Sequence, residues 1–73
     1  MDKGSVVFAV AQITEYGYRD EELFVHAEPG AEGEVLAVVE ADWLMVRWHR
    51  RDSIAQCHRD ELRASAAVLA AAG

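Results

Sequence analysis

The sequence predicts an all-β domain in which five short strands bend around one small core. Runs of β-branched and aromatic residues alternate with short segments rich in glycine and charged residues. The predicted strands cover residues 6–14, 23–27, 35–39, 43–48 and 54–58. Five strands with tight turns in so short a chain favour a strongly bent barrel over a sandwich. We therefore expect a small SH3-like five-stranded barrel.

The size of the chain limits how stable such a core can be. A chain of 73 residues forms one domain and buries only about 60% of its extended-chain surface. The single cysteine, Cys57, excludes an internal disulfide and offers no paired-cysteine zinc site. We expect extra stabilisation from a larger protein partner or from homo-oligomerisation. No apolar run approaches the ~20 residues of a membrane span, and residues 1–5 do not resemble a secretory signal, so a cytoplasmic protein is expected.

Charge is distributed unevenly along the chain. Residues 1–42 hold ten acidic and two basic residues, a net charge of −8, whereas residues 43–73 hold five arginines and three acids, a net charge of +2. The acidic half argues against a nucleic-acid surface, because phosphate contacts require clustered Lys or Arg. The arginine-rich half keeps a small nucleic-acid-binding barrel as the alternative to a protein-binding surface.

The first part of the chain predicts one long strand followed by a loop. Residues 6–14 are apolar on both faces, as in a largely buried strand. Residues 15–22 are polar and contain Gly17, which is typical of a loop. We expect its two aromatic residues, Tyr16 and Tyr18, to fold back over the edge of the core. The alternative is an exposed binding pair, as in peptide grooves or base-stacking surfaces.

The central hairpin carries the clearest pattern. Residues 40–42 connect two β-former runs, and Gly33 before Val35 indicates a bulge or a close backbone crossing where a Cβ atom would clash. Alternation along the second run places one set of side chains inward, namely Leu44, Val46 and Trp48. The opposite set, which faces outward, is Trp43, Met45, Arg47 and His49.

The end of the chain predicts a second hairpin and a tail. Residues 49–53 form its charged turn, and residues 59–63 form a single turn that inserts Leu62 into the barrel. The barrel therefore covers residues 1–63. Residues 64–73 are Ala-rich and too short for a stable isolated helix, so we expect either a frayed tail or a short docked helix.

No residue pattern predicts catalysis or a cofactor. Cys57 and His58 are neighbours in a strand and face apart, so thiolate activation and a shared metal are not expected. We interpret Cys57 as a buried core thiol and His26 as a surface or edge residue. His49 and His58 share the outer face of the second hairpin and would be the pair to meet there. No catalytic and no metal-binding residue is predicted.

The outward set predicts a partner-binding surface. Aromatic residues, methionine and arginine are enriched in interface cores. The predicted partner-binding residues are Trp43, Met45, Arg47, His49, Arg50 and Arg51. The competing interpretation is that the tyrosine-containing loop or the Ala-rich tail covers this surface.

A family resemblance adds to this reading. The residues that carry it are, in order, Gly4, Val7, Val10, Gly17, Leu23, Val25, Gly30, the step Gly33-Glu34-Val35 and the segment Cys57-His58-Arg59-Asp60-Glu61-Leu62. With these residues the chain resembles, over residues 4–63, the NifZ family of nitrogenase-maturation proteins. It is similar, more loosely, to the SH3-like variable chain of ferredoxin–thioredoxin reductase. The resemblance implies a non-catalytic accessory domain that docks on a nitrogenase-type or other iron–sulfur enzyme, or on its assembly intermediate.

Overall fold

A computed structural model describes residues 1–64, which contain seven strands and one short 3-10 helix. The elements are β1 (Val6–Ala9), β2 (Ile13–Tyr16), β3 (Glu22–Ala27), β4 (Glu32–Glu40), β5 (Trp43–Trp48), β6 (Ser53–His58), the 3-10 helix (Arg59–Glu61) and β7 (Leu62–Arg63). The predicted all-β class is confirmed. Residues 65–73 of the predicted Ala-rich tail lie outside the described residues.

The strands form two antiparallel sheets. One sheet has five strands in the order β6-β5-β4-β1-β7, and the other is a two-stranded ribbon of β2 and β3. The sequence predicts one closed five-stranded barrel. The described part of the chain does not form one. The SH3-like assignment stays a prediction.

The predicted first strand, residues 6–14, is two strands separated by Val10–Gln12. The register of β1 with β4 ends at Phe8, opposite Glu32, and Ala9 still exchanges backbone hydrogen bonds with Ala31 and Gly30. The Val10 amide donates to the Glu61 carbonyl, 2.9 Å away, outside the β1–β4 ladder. The chain then leaves the main sheet, and β2 pairs with β3. Because residues 6–14 are apolar on both faces, no local pattern predicts this break.

The central hairpin agrees with its prediction. β4 and β5 are joined by residues 41–42, and Leu44, Val46 and Trp48 are all buried. Gly33 lies opposite Trp48, and a Cβ on Gly33 would come within 2.7 Å of the Val46 side chain and 2.8 Å of the Trp48 ring. The predicted close crossing at Gly33 is therefore confirmed. The buried core residues are Val7, Ala9, Ile13, Ala27, Val35, Leu44, Val46, Trp48, Cys57 and Leu62.

The predicted turn at residues 59–63 is confirmed, and side chains cap its N-terminal end. The Asp60 amide donates to His58 Nδ1 at 3.1 Å, and the His58 amide donates to the Glu61 carboxylate at 2.8 Å. This reciprocal pair is a capping box, with histidine in the place usually held by Ser or Thr. The turn delivers Leu62 into the core opposite Ala9.

The prediction that the two tyrosines fold back over the core is wrong. Tyr16 is exposed, and Tyr18, at the tip of the β2–β3 ribbon, is 98% exposed. The Gly17 amide donates to the Glu21 carbonyl at 2.7 Å, and the Asp20 amide donates to the Gly17 carbonyl at 3.1 Å. The tip is thus closed by its own backbone, and its side chains do not reach the core.

Candidate protein-interaction site

The six predicted partner-binding residues lie in two places. Trp43, Met45 and Arg47 form a row along the solvent side of β5, which we name the outer face of β5. Arg50 and Arg51 lie in the turn that follows β5 and border a cavity beside the core. His49 stands between them and bonds back to β4.

Trp43 is held in place but left accessible. Its indole is 38% exposed and lies directly across from His58 on β6 and Glu40 on β4. The His58 ring meets it edge to face, with ring centroids 5.0 Å apart. The capping box fixes His58, which therefore supports one side of the indole, while about two fifths of the Trp43 surface stays accessible to solvent. A rigid, half-exposed tryptophan is the residue type most enriched among binding hot spots.

The charges next to this row are largely compensated. The Arg47 guanidinium lies 3.6 Å from the Glu34 carboxylate, its neighbour on β4. His49 Nδ1 lies 2.9 Å from the Glu32 carboxylate. An arginine that already faces a carboxylate offers little net charge to a phosphate, so the row is poorly suited to nucleic acid. It suits a partner surface that is mainly apolar at its centre.

Arg50 and Arg51 belong to a different environment. They border a cavity of about 30 Å³ that we name the arginine pocket. Its other lining residues are His26, Ala27, Glu28, Ala31 and Trp48. The Arg51 guanidinium carbon lies 5.9 Å from the centre of the Phe24 ring, within reach of a cation–π interaction. The structure thus separates these arginines from Trp43 although the sequence places all three within nine residues.

The interpretation of His26 as a surface or edge residue is wrong, because the side chain is only 7% exposed. Its Nε2 lies 3.1 Å from the Glu15 carboxylate and its Nδ1 lies 2.9 Å from the Ser53 hydroxyl. An ionised carboxylate only accepts, so Nε2–H donates to Glu15 and Nδ1 accepts from Ser53 in the neutral ring. His26 therefore ties the ribbon to the main sheet. No sequence signal predicts this, because its partners are 11 and 27 residues away.

The connected side chains of Ser53, His26 and Glu15 have the composition of a hydrolase relay. Two features argue for a structural role instead. Ser53 lines neither the arginine pocket nor the larger groove of about 260 Å³ on the other side of His26. Glu15, which would orient the ring, is 59% exposed. His26 on β3 bonds both Glu15 on β2 and Ser53 on β6, so these groups hold the ribbon to the main sheet.

Cys57 is the buried core thiol that the sequence predicts. Burial raises the pKa of Cys57 to about 11; the Trp48 indole lowers the pKa in part, and the nearby Glu61 carboxylate raises it further. The indole N–H itself finds no hydrogen-bond partner of good geometry within the described residues. The thiol is consequently protonated at neutral pH and a poor nucleophile.

The predicted meeting of His49 and His58 does not occur. Trp48 pairs with Ser53 at the turn end of the β5–β6 hairpin, whereas His58 pairs with Trp43 at its far end. His49, one residue beyond Trp48, is therefore at the opposite end of the hairpin from His58. Within residues 1–64, no three His, Cys, Asp or Glu side chains cluster in a way that would hold a metal ion.

Comparison with known proteins adds no relative. No protein-family model, curated protein or solved structure matches this chain. The resemblance to the NifZ family thus rests on the residues named above and remains a prediction. In the part of the chain that the structure describes, no helix has the length and apolar character needed to cross a membrane.

Proposed function

We propose that this protein is a non-catalytic, cytoplasmic interaction module that docks on a larger protein through the outer face of β5. The observation that carries the proposal is the position of Trp43. Its side chain is 38% exposed on the solvent side of β5, and the His58 ring packs edge to face against it. Met45 and Arg47 continue the same row. Tryptophan, methionine and arginine are the residue types enriched where interfaces lose water.

The competing interpretation is that the chain itself covers this face with its tyrosine-containing loop or its Ala-rich tail. The loop does not cover it. Tyr18, at the tip of the loop that was expected to fold over it, is almost fully exposed. The other candidate, the Ala-rich tail, falls mostly outside the described residues. A partner protein is therefore the occupant that the described residues support best.

The connectivity of the strands supports an SH3-like architecture for this module. β4, β5 and β6 form a meander, β1 joins the free side of β4, and the short β7 adds beside β1 after one helical turn. The β2–β3 ribbon is then a long excursion between β1 and β4. Small domains of this kind often act by presenting side chains on a rigid sheet, and many unrelated functions share the same fold.

The class of partner is inferred from the family resemblance. A chain that resembles NifZ proteins and, loosely, a reductase accessory chain would dock on an iron–sulfur enzyme of nitrogenase type or on its assembly intermediate. Arg47, whose guanidinium already faces the Glu34 carboxylate, also fits a protein partner better than a nucleic acid.

Affinity capture from an extract of the native host tests the proposal. The wild-type protein is expected to recover a metal-cluster enzyme, and Trp43→Ala is expected to lose it. Leu23→Ala is the matched control, because Leu23 is also an exposed apolar side chain but lies on the ribbon, away from β5. Recovery of no protein, or equal recovery by Trp43→Ala, would refute the proposal.

Self-association through the same face is the outcome to separate from partner binding. Sedimentation at micromolar concentration distinguishes the two. A monomer agrees with docking on a different protein. A wild-type oligomer that becomes monomeric in Trp43→Ala would instead show that the face binds a second copy of the chain.

A further inference from the structure

The arginine pocket differs from the outer face of β5, because it places two arginines at the rim of a small apolar cavity. Its floor includes Trp48, which is almost fully buried, together with Ala27 and Ala31. Its rim holds two adjacent arginines, Arg50 and Arg51, both exposed. A small apolar cavity with a few convergent polar groups is the usual form of a ligand site.

Arg50 and Arg51 lack the carboxylate partner that Arg47 and Arg59 have, as do Arg19 and Arg63 among residues 1–64. Arg47 faces Glu34 and Arg59 faces Asp42, at 3.6 and 3.7 Å. Among residues 1–64, no carboxylate lies within ion-pair distance of Arg50 or Arg51. In a chain with 13 acidic residues against 7 basic ones, carboxylates are abundant. The turn nevertheless leaves both guanidinium groups available to an external anion.

Arg51 is also positioned before any ligand arrives. Its guanidinium lies over Phe24, and the Phe24 ring packs edge to face on His26 with centroids 4.8 Å apart. His26 is in turn fixed by its two hydrogen bonds. This support lowers the side-chain entropy that Arg51 would lose on binding.

The size and charge of the pocket select the anion. A cavity of about 30 Å³ is only two to three times the minimum that holds one water, so it suits a group as small as a single carboxylate. Glu28 stands in the wall, and the protein carries a net charge of −6. Both disfavour a dianionic phosphate relative to a monoanion. A planar carboxylate also matches the guanidinium fork in geometry.

We propose that Arg50 and Arg51 form a receptor for a single carboxylate group of the docked protein. The inference rests on the proposed interaction role and specifies the chemical group that this second contact recognises. The carboxylate belongs to an acidic side chain or to the C-terminus of the partner. Trp43 supplies the apolar contact on the outer face of β5, and the arginine pocket supplies a charged contact at the end of the same strand.

A titration with small carboxylates tests the receptor without the partner. The full-length, 15N-labelled protein is titrated at constant ionic strength with N-acetyl-glutamate α-methylamide, N-acetylglycine and inorganic phosphate. We expect saturable shifts of the Arg50 and Arg51 Nε–Hε signals and of the Trp48 indole. The signals of Arg47 and Arg59 should stay in place. The tighter of the two carboxylate probes identifies a side chain or a C-terminus as the source.

The double variant Arg50→Gln/Arg51→Gln should weaken carboxylate binding about tenfold or more, because charge-assisted hydrogen bonds are lost. Arg47→Gln, whose arginine already faces Glu34, should bind as the wild type does. Both changed side chains are exposed, so unchanged amide signals elsewhere will confirm that the double variant is folded.

Two results would overturn the receptor. One is a linear, non-saturating shift shared by all arginines, and the other is tighter binding of phosphate than of either carboxylate. Either result leaves the capture experiment with Trp43→Ala unaffected. Failure of that capture experiment, with carboxylate binding intact, would instead remove the proposed docking face.

Discussion

The two sides of β5 use the same strand for different purposes. Leu44, Val46 and Trp48 point inward and are buried, while Trp43, Met45 and Arg47 point outward and keep contact with solvent. Both sides carry a tryptophan, so residue type alone does not separate them. What differs is the surroundings of each indole. Trp48 is surrounded by the core, whereas Trp43 is supported on one side by His58.

The difference shows how a very small domain divides stability and recognition. The chain has few residues with which to form a core, so every inward position of the central strand is needed for folding. The outward positions contribute little to folding and are free to serve binding. The two sides should therefore respond in opposite ways to substitution.

The largest expected effect is the loss of an inward side chain. Leu44→Ala should destabilise the protein by about 2 to 5 kcal/mol, because it removes buried methyl groups and leaves a cavity. For a domain of this size that is a large part of the total stability. Met45→Ala, its outward neighbour, should cost under about 1 kcal/mol. Chemical denaturation of both variants checks the contrast, and equal losses would contradict it.

A comparable test addresses the close crossing at Gly33. Gly33→Ala should cost about 3 kcal/mol, because the new Cβ would lie 2.7 to 2.9 Å from Val46, Trp48 and the Arg47 carbonyl oxygen. Gly17→Ala is the control, since there the new atom meets only the side chain of Glu21, which can move away. The difference in thermal midpoint between the two variants is the measurement. A Gly33→Ala protein as stable as Gly17→Ala would show that the inner side is loosely packed.

Because Cys57 is buried, we expect the free energy of unfolding to depend on pH in the alkaline range. Cys57 lies opposite Leu44, and its pKa is raised from 9.0 to about 11 by burial. Below pH 9 the thiol is protonated in both states and has no effect. Between pH 9 and about 11 the unfolded chain releases the proton while the folded one keeps it. The free energy of unfolding should fall by roughly 2 to 3 kcal/mol over this range.

Tyrosines and Lys3 also titrate at alkaline pH, so the test is the difference between the wild type and Cys57→Ala. The decrease assigned to the thiol should be absent from the variant. Identical pH profiles of the two proteins would show that the thiol ionises as easily when folded as when unfolded.

A smaller loss of stability is expected when the hydrogen bond that ties the β2–β3 ribbon to the main sheet is removed. Ser53→Ala should destabilise the protein by about 1 to 2 kcal/mol, since it leaves the buried Nδ1 of His26 without its hydrogen bond. Gln56→Ala, an exposed residue on the outer side of the same strand, should be nearly neutral. Amide exchange in β2 and β3 should accelerate in Ser53→Ala alone. Unchanged exchange there would mean that His26 does not hold the sheets together.

Sequence patterns predict the division of β5 because they depend on a period of two. The same local reasoning correctly predicts the hairpin turn, the crossing at Gly33 and the insertion of Leu62. It fails where a distant partner decides the structure. After Ala9 the chain bonds to Glu61 instead of continuing along β4, and the burial of His26 follows from Ser53 and Glu15. The surroundings of Arg51 likewise depend on Phe24, in another strand.

The most direct test of the division is a single variant measured in two ways. Trp43→Ala should still fold cooperatively and cost about 1 to 2 kcal/mol, less than Leu44→Ala, because Trp43 is 38% exposed whereas Leu44 is fully buried. In affinity capture from the native host the same variant should fail to recover the partner. A variant that unfolds readily, or that captures the partner as well as the wild type, would contradict the assignment of recognition to the outer face of β5.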